Sequence, residues 1–595
     1  VIRPKSGFLE IYLASAWLWA GGNVLFAAGL LGALDRPTVI FLGTLIGAGL
    51  LAIAFQARSI QGALLGAARA HPVAMLSLVG VVAAESFLAL APPTARDALI
   101  HHLALPRLFL QAGGVIEVPF AIHASYPQTA DMLYLIPLGE GRDQAAAFIH
   151  LGFGLLAAAV LAARARRWAN DLSGIFAALL FLSLPVVVFL SSVAYVDLPL
   201  CLFSFLGLEA FLRWREANGR AWWLALSAIA VGFAISTKYQ GFLVAAVLAL
   251  LVTVAAFRQG GIIRAAKCVA LFSLLVIVPP APWLVRNASV HGDPVYPLFS
   301  DIVGDAPVHK GVPAEADSLS PLALRRIMYG ESMFEIAALP LRIFVSGREN
   351  DPRRFDGRLN PLLPFLALGL LVVRRGTGPF PGAGAFASFA ILGTLLSLTM
   401  DVARARYVLP FVSVLCPLAS TAATTLPRRS LLLGLLALAL AWNGFFLFER
   451  LRGSDLLPYF SGAETRAAYL ARKLPAYPLY ASVNALVPKN GRVQLLFMGD
   501  RGYYLNVPYT YESYYSGAGI GRALEKGSSA LDAYFGRRGV THLLVNEVIL
   551  RKFLEGKFGP WGIRAWEAFA NTRLVKLDAQ GPFALYEILK YHRNQ

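Results

Sequence analysis

The chain alternates between long apolar runs and short polar links. Crossing a bilayer takes about 20 apolar residues, and candidate runs fall at 11–33, 37–55, 73–92, 145–163, 173–192, 196–214, 221–237, 240–257, 266–285, 360–374, 383–400, 406–425 and 430–448. The pattern predicts an α-helical polytopic membrane protein with about 13 transmembrane helices. Charge provides a check, because cytoplasmic links carry an excess of Lys and Arg. With Arg3 and Lys5 inside, every alternate short link is basic: Arg58 and Arg69; Arg164, Arg166 and Arg167; Arg213, Arg215 and Arg220; Arg258, Arg264 and Lys267; Arg374 and Arg375; Arg428 and Arg429. An odd count of spans then leaves the C-terminal tail outside.

Three outer segments are too long for simple connections: 93–144, 286–359 and 449–595. The expected organisation is a membrane domain over 1–448, with outer loops 93–144 and 286–359, and an extracytoplasmic domain over 449–595. The tail has strand-like runs at 493–499, 542–546 and 583–589, separated by helical patterns such as 463–473 and 521–535. It reads as a small mixed α/β domain. It shows no Gly-rich phosphate fingerprint and no nucleophile elbow, so covering the membrane part or contacting an acceptor is its expected role. Internal repeats and matched broken helices of the transporter kind are not evident.

Composition refines this picture. The 595 residues are 57% hydrophobic and carry a net charge of +18. Such a charge in a soluble chain would suggest nucleic acid. Here the positives lie in links where membrane orientation needs them, so no nucleic-acid partner is expected. Cys201, Cys268 and Cys416 all sit inside apolar runs, with neither metal spacing nor a disulfide framework. No cleavable signal peptide is evident, and Val1 is not a natural start, so removal of a short N-terminal piece is expected.

Ionisable groups in or beside apolar runs are costly and therefore functional candidates. They are Glu85, His150, Asp197, Glu209 and Lys238. Asp97, His101 and His102 begin the first outer loop, after Pro92 and Pro93. The sidedness places Asp97, Asp197 and Lys238 at one outer level. Asp97 also suits a helix N-cap, and Asp197 with Lys238 also suits a structural ion pair. Glu209 beside Arg213 reads as a structural pair at the inner side. Arg404 and Arg406 stand at an outer span end where orientation does not call for arginine, and Arg286 lies at a similar level. Guanidinium groups match phosphate oxygens; anchoring to lipid headgroups is the plainer use. Tyr126, Tyr134 and Tyr296 suit either sugar stacking or the interfacial aromatic belt.

With these residues in view, the chain resembles polytopic glycosyltransferases of the C-type (GT-C) fold, and especially bacterial relatives of the protein O-mannosyltransferases and the lipid A aminoarabinose transferases. The resemblance is carried by RDALIHHLALPRLFLQAG at 96–113, YPQTADMLY at 126–134, AYVDLPL at 194–200, STKYQG at 236–241, RNASVHGDPVYPLF at 286–299 and ARYVLP at 405–410. GVTHLLVN at 539–546 and FALYEI at 583–588 extend it into the tail. Two departures stand out. Asp97 is followed by Ala98 where the family has a second acid, and two apolar runs precede the family's first helix.

The resemblance implies an inverting glycosyltransferase, hexosyl or pentosyl, that moves a sugar from a polyprenyl-phosphate donor to a lipid, glycan or protein acceptor. It implies residence in the bacterial cytoplasmic membrane with the active site facing the periplasm. Asp97 is the implied catalytic base, with Asp197 the second catalytic carboxylate. Lys238, Arg404 and Arg406 fall to the donor phosphate, and Arg286, Tyr407, His101 and His102 to substrate binding. Only one of the adjacent histidines is expected to face the site. The missing second acid leaves a divalent cation, Mg or Mn, open. Two other classes compete: a lipid or solute transporter with Asp97, Asp197 and Lys238 as relay, and a non-catalytic cell-envelope scaffold.

Overall fold

The computed structural model describes residues 7–298, 321–373, 380–400, 402–427, 429–512 and 518–589. Arg3, Lys5, Arg374, Arg375 and Arg428, part of the loop expected at 286–359 and the end of the tail lie outside the described residues.

A helix accompanies every apolar run, but few are unbroken spans. Among the described residues, six helices are long and apolar enough to cross a membrane, or eight if two bent pairs each form one span. This number is below about 13, the count the runs suggest. The difference lies in breaks, short helices and charge. Asp171–Ser183 and Pro185–Ser191 meet at 71°, because the residue before a proline is pushed out of the helical region; Leu184 there has ψ 130°. Ala405–Val412 and Leu415–Thr425 meet at 51°, and Pro410 lies inside the first of them. The runs 240–257 and 266–285 are joined at Gly260 and Gly261, where φ reaches +69° at Gly261, a value glycine adopts without strain. Ala221–Thr237 has only 17 residues.

The link 57–72 is itself a helix, Arg58–Ala70. It carries Arg58 and Arg69 and exposes Leu64 and Leu65, the composition of a helix lying in the membrane interface.

Helix Asp197–Glu216 sits at the centre, almost wholly buried. Its 20 residues span about 30 Å at about 1.5 Å per residue, the thickness of a bilayer core. Charge gathers at both ends. Toward the Glu216 end Glu209 accepts from Arg164 (2.6 Å) and Arg213 (2.8 Å), so the expected structural pair is a triad. At the other end stands Asp197.

The two extra N-terminal helices, Phe8–Leu30 and Arg36–Gln56, brace the first outer loop. Val115 donates its N–H to Gly29 (2.9 Å) and Leu34 donates to Gly113 (2.9 Å). Phe26 stacks on Trp283 at 4.0 Å, and Trp283 in turn donates to Thr129 (3.1 Å).

Helix Arg429–Ser454 runs past residue 449 into the tail. There a five-stranded sheet is built from β1 (Val493–Leu496), β2 (Tyr509–Tyr511), β3 (His542–Asn546), β4 (Leu574–Gln580) and β5 (Phe583–Ile588), in the order β2-β1-β3-β5-β4. β1 is parallel to β2 and β3, while β5 is antiparallel to β3 and β4. β1, β3 and β5 are the strands the pattern predicts. β2 has three residues, too few to show a period. One face of the sheet, with Val493, Leu495, Tyr509 and Tyr511, joins the core of the membrane part; the other carries Leu496, Leu543 and Val545 against its own helices.

Candidate active site

The sheet forms a roof over a cavity of 2730 Å³ at the Asp197 end of the central helix. Asp97, His101, His102, Lys238, Arg286, Arg404, Arg406 and Tyr407 all line it. Segments separated by hundreds of residues thus converge at one level, as the sidedness of the runs requires.

Asp97 precedes Ala98–His102, a single π-helical turn closed by Leu103 N–H to Ala98 C=O. Such turns recur at functional sites. The Asp97 N–H donates to the Tyr195 hydroxyl (3.1 Å), and its Oδ2 accepts from Arg406 Nη2 at 2.6 Å. Oδ1 has no hydrogen bond among the described residues. Burial by itself would push this carboxyl up; the Arg406 guanidinium, followed by His102, outweighs it and holds Asp97 well below the usual carboxylate range.

Asp197 is fully buried and forms no part of the cavity wall. Its Oδ1 accepts from Lys238 Nζ at 3.1 Å, and Arg406 Nη1 lies 3.8 Å from Oδ2. The carboxylate therefore holds two cations from below. His150 fixes the start of the same helix: Nδ1 is bonded to the carbonyls of Leu190 (2.8 Å) and Val193 (2.9 Å), while Nε2 accepts the Leu198 N–H at 3.0 Å. That is a neutral structural imidazole. Glu85 is fully buried outside the cavity wall.

Tyr407 underlies the cations. Its ring centroid is 4.7 Å from Lys238 Nζ, 5.1 Å from the Arg406 guanidinium and 5.6 Å from that of Arg404, within cation–π range. Arg404 is 4.0 Å from Asp356, a residue the sequence did not single out. Arg286 is buried and donates to Ala124 C=O (3.3 Å) and Asn287 Oδ1 (3.2 Å), which ties it to the outer loop.

Both adjacent histidines line the cavity, where only one was expected. The π turn brings their rings to 4.0 Å. His102 Nδ1 is 2.9 Å from Asp131, and His101 stacks on His123 at 4.1 Å and 6°. Burial first, and then the neighbouring charge of His102, pull the His101 imidazole well below its ordinary range. Burial also pulls His123 down to about 4, with the Asp97 charge opposing. Burial raises the Asp131 carboxyl, with His102 opposing. Asp131 lies inside the quoted YPQTADMLY segment, but no spacing links it to His102.

Among the described residues, no group of three or more His, Cys, Asp and Glu side chains could hold a metal ion. Asp97 and Asp197 face Arg406 and Lys238 instead. These donors do not fit a resident divalent cation.

Comparisons with known proteins bear on this geometry. Residues 141–291 match the family model described as dolichyl-phosphate-mannose-protein mannosyltransferase. No curated protein sequence matches the chain. ArnT from Cupriavidus metallidurans bound to undecaprenyl phosphate aligns with a TM-score of 0.52 at 15% identity, covering 86% of this chain and 97% of its own. Its apo structure gives 0.53 at 16%, covering 86% and 96%. Archaeal oligosaccharyltransferase AglB from Archaeoglobus fulgidus aligns at 0.46 and 12%, over 87% and 74%, too distant to carry weight. The chain therefore has the GT-C fold of polytopic membrane glycosyltransferases, and its residues 141–291 match the mannosyltransferase family model.

Proposed function

We propose that this chain is an inverting glycosyltransferase, transferring a hexose or pentose from a polyprenyl-phosphate donor to a lipid, glycan or protein acceptor. The reaction takes place at the outer face of the cytoplasmic membrane, with cavity and tail on the periplasmic side. The observation that carries this reading is the Asp97–Arg406–Asp197–Lys238 network, with Arg404 beside it, at the floor of the cavity. It sets a carboxylate oxygen with no hydrogen bond next to cations that suit a phosphate. The ArnT structure bound to undecaprenyl phosphate and the dolichyl-phosphate-mannose family match support a polyprenyl-phosphate donor.

The acceptor hydroxyl or amine attacks the anomeric carbon from the face opposite the phosphate. The new bond forms as the bond to phosphate oxygen breaks, and its electron pair leaves on the lipid phosphate. Lys238 and Arg404 stabilise that charge. Asp97 takes the acceptor proton on Oδ1. A strongly ionised carboxylate is a weak base, but the attacking atom becomes acidic as its bond to carbon forms, so a late transfer suffices. Arg406 fixes Asp97, and Asp197 positions Arg406 and Lys238 without touching substrate. Arg286, His101, His102 and Tyr407 complete the substrate-binding wall.

The test is transfer of radiolabelled sugar from polyprenyl-phosphate donors to total membrane lipid and glycan by purified protein. Label moved by wild type and not by Asp97→Asn is the expected result. Donor binding without transfer from any donor would turn the reading toward a flippase or scaffold.

A further inference from the structure

The roof reaches into the cavity at a place the donor chemistry leaves idle. Between β1 and β2 the chain is stitched to the Asp97 segment. Tyr503 N–H donates to Leu99 C=O (3.3 Å), the Tyr504 hydroxyl to Pro93 C=O (2.6 Å), and Arg107 to Tyr503 C=O and Asn506 Oδ1. Phe497, Gly499 and Asp500 in this stretch all have left-handed backbone, φ +58°, +68° and +61°. For Phe that is an outlier, and such strain gathers at functional sites.

Asp500 lines the cavity, and its carboxylate has no hydrogen bond or ion pair among the described residues. Tyr511 of β2 also lines it; that hydroxyl is buried without a hydrogen-bond partner. The Tyr511 ring stands edge-on to Phe120 at 4.9 Å. The charged and titratable groups facing Asp500 are Arg96, just before Asp97, Arg501 beside it and Tyr511. A carboxylate accepts hydrogen bonds and donates none. Joined to a phenol and the Phe120 and Tyr511 rings, it suits a ligand with many hydroxyl donors and an apolar C–H face, and the carboxylate itself offers a phosphate no donor.

We propose that Asp500, the Tyr511 hydroxyl and the Phe120 and Tyr511 rings form an acceptor subsite for a neutral, hydroxyl-bearing sugar. This rests on the transferase reading and narrows it: the acceptor is a glycan or glycolipid, and the tail recognises it. Asp500 binds the acceptor and does not take the reacting proton. Burial lifts the Asp500 carboxyl to about 6, against the pull of Arg96, so acceptor binding weakens as pH falls through that value.

The test uses the full-length protein in nanodiscs, membrane glycolipid as acceptor, and the variants Asp500→Asn and Asp500→Gly, both of which suit a left-handed backbone. Each variant should raise the acceptor KM by about 10- to 100-fold, the size of a lost hydrogen bond to a charged group, with kcat and donor-lipid affinity unchanged. The wild-type acceptor KM should climb below about pH 6, and that limb should vanish in Asp500→Asn. Variants that keep the wild-type KM and pH profile overturn the proposal.

A second measurement needs no transfer. Immobilised wild type should retain the phosphate-free oligosaccharide fraction released from the same membranes, and Asp500→Asn should not. Retention of only the phosphate-bearing fraction, or of neither, overturns the subsite. Retention without any transfer keeps the subsite and overturns the transferase reading.

Discussion

Arg406 donates to Asp97 at 2.6 Å across 309 residues of sequence. The same guanidinium lies 3.8 Å from Asp197, so one arginine aligns two carboxylates of different duty. Asp97 faces the cavity with its free oxygen; Asp197 stays below.

Asp97→Asn should leave the fold and donor binding in place and slow transfer by about 100- to 10,000-fold, the usual contribution of a positioned base. Donor affinity and single-turnover transfer, measured on the same preparation, check this. Unchanged transfer would remove Asp97 from the reaction.

Lys238→Met should cost both stability and donor affinity. It strips the fully buried Asp197 of its 3.1 Å partner, and loss of one member of a buried pair costs about 3–5 kcal/mol. Adding Asp197→Asn removes the stranded charge, so the double variant should recover thermal stability but not donor affinity. Recovery of both would make Lys238 purely structural.

Glu209→Gln should lower stability by about 3–5 kcal/mol, because Arg164 and Arg213 lose their shared carboxylate. The acceptor and donor KM values of the surviving folded enzyme should not move. A changed KM would tie the Glu209 triad to the site.

Acid should unfold the outer loop through its histidines. Burial depresses His123 from 6.5 to about 4, so the unfolded chain binds its proton first. The stability this group contributes is complete above about 6.5 and is lost as pH falls toward about 4. The slope is about 1.4 kcal/mol per pH unit for one such group. His101 shifts in the same direction. Thermal melts of His123→Gln between these limits should show a shallower decline than wild type. An unchanged slope would overturn the assignment.

Chelation with EDTA should leave transfer intact, since Lys238, Arg404 and Arg406 supply the positive charge that a metal would otherwise bring. Loss of activity restored by Mg or Mn would reverse this.

Much of the fold was legible because a bilayer imposes simple rules on sequence. Run length and basic links placed Asp97, Asp197, Lys238 and Arg406 on one side, and that is where they meet. The break at Leu184 was less visible, since apolar content continues across it, whereas the break at Gly260–Gly261 falls in the basic link that separates the runs 240–257 and 266–285. In the site, Asp131, His123 and Asp500 escaped notice. Each lies outside the apolar runs, in a short helical turn or a loop, where partners are set by tertiary packing. His102 and Asp131 are 29 residues apart in sequence and 2.9 Å apart in the fold. Asp500 gave one local hint: it follows Gly499 in a turn, which alone says little. The adjacent histidines misled because ordinary helical geometry splays neighbours, whereas the π turn gathers them.

Helix Asp197–Glu216 holds the Asp197 and Glu209 clusters about 18 Å apart, at about 1.5 Å per residue, and so works as a depth gauge. The buried Glu209 triad fixes one level of the helix, while the Asp197 carboxylate sets the height of Lys238 and Arg406. Four residues inserted at its middle would move Asp197 by about 6 Å relative to Glu209, enough to take the cations off the phosphate of the proposed donor. On the transferase reading, thin and thick bilayers should therefore give different rates of transfer by the same protein.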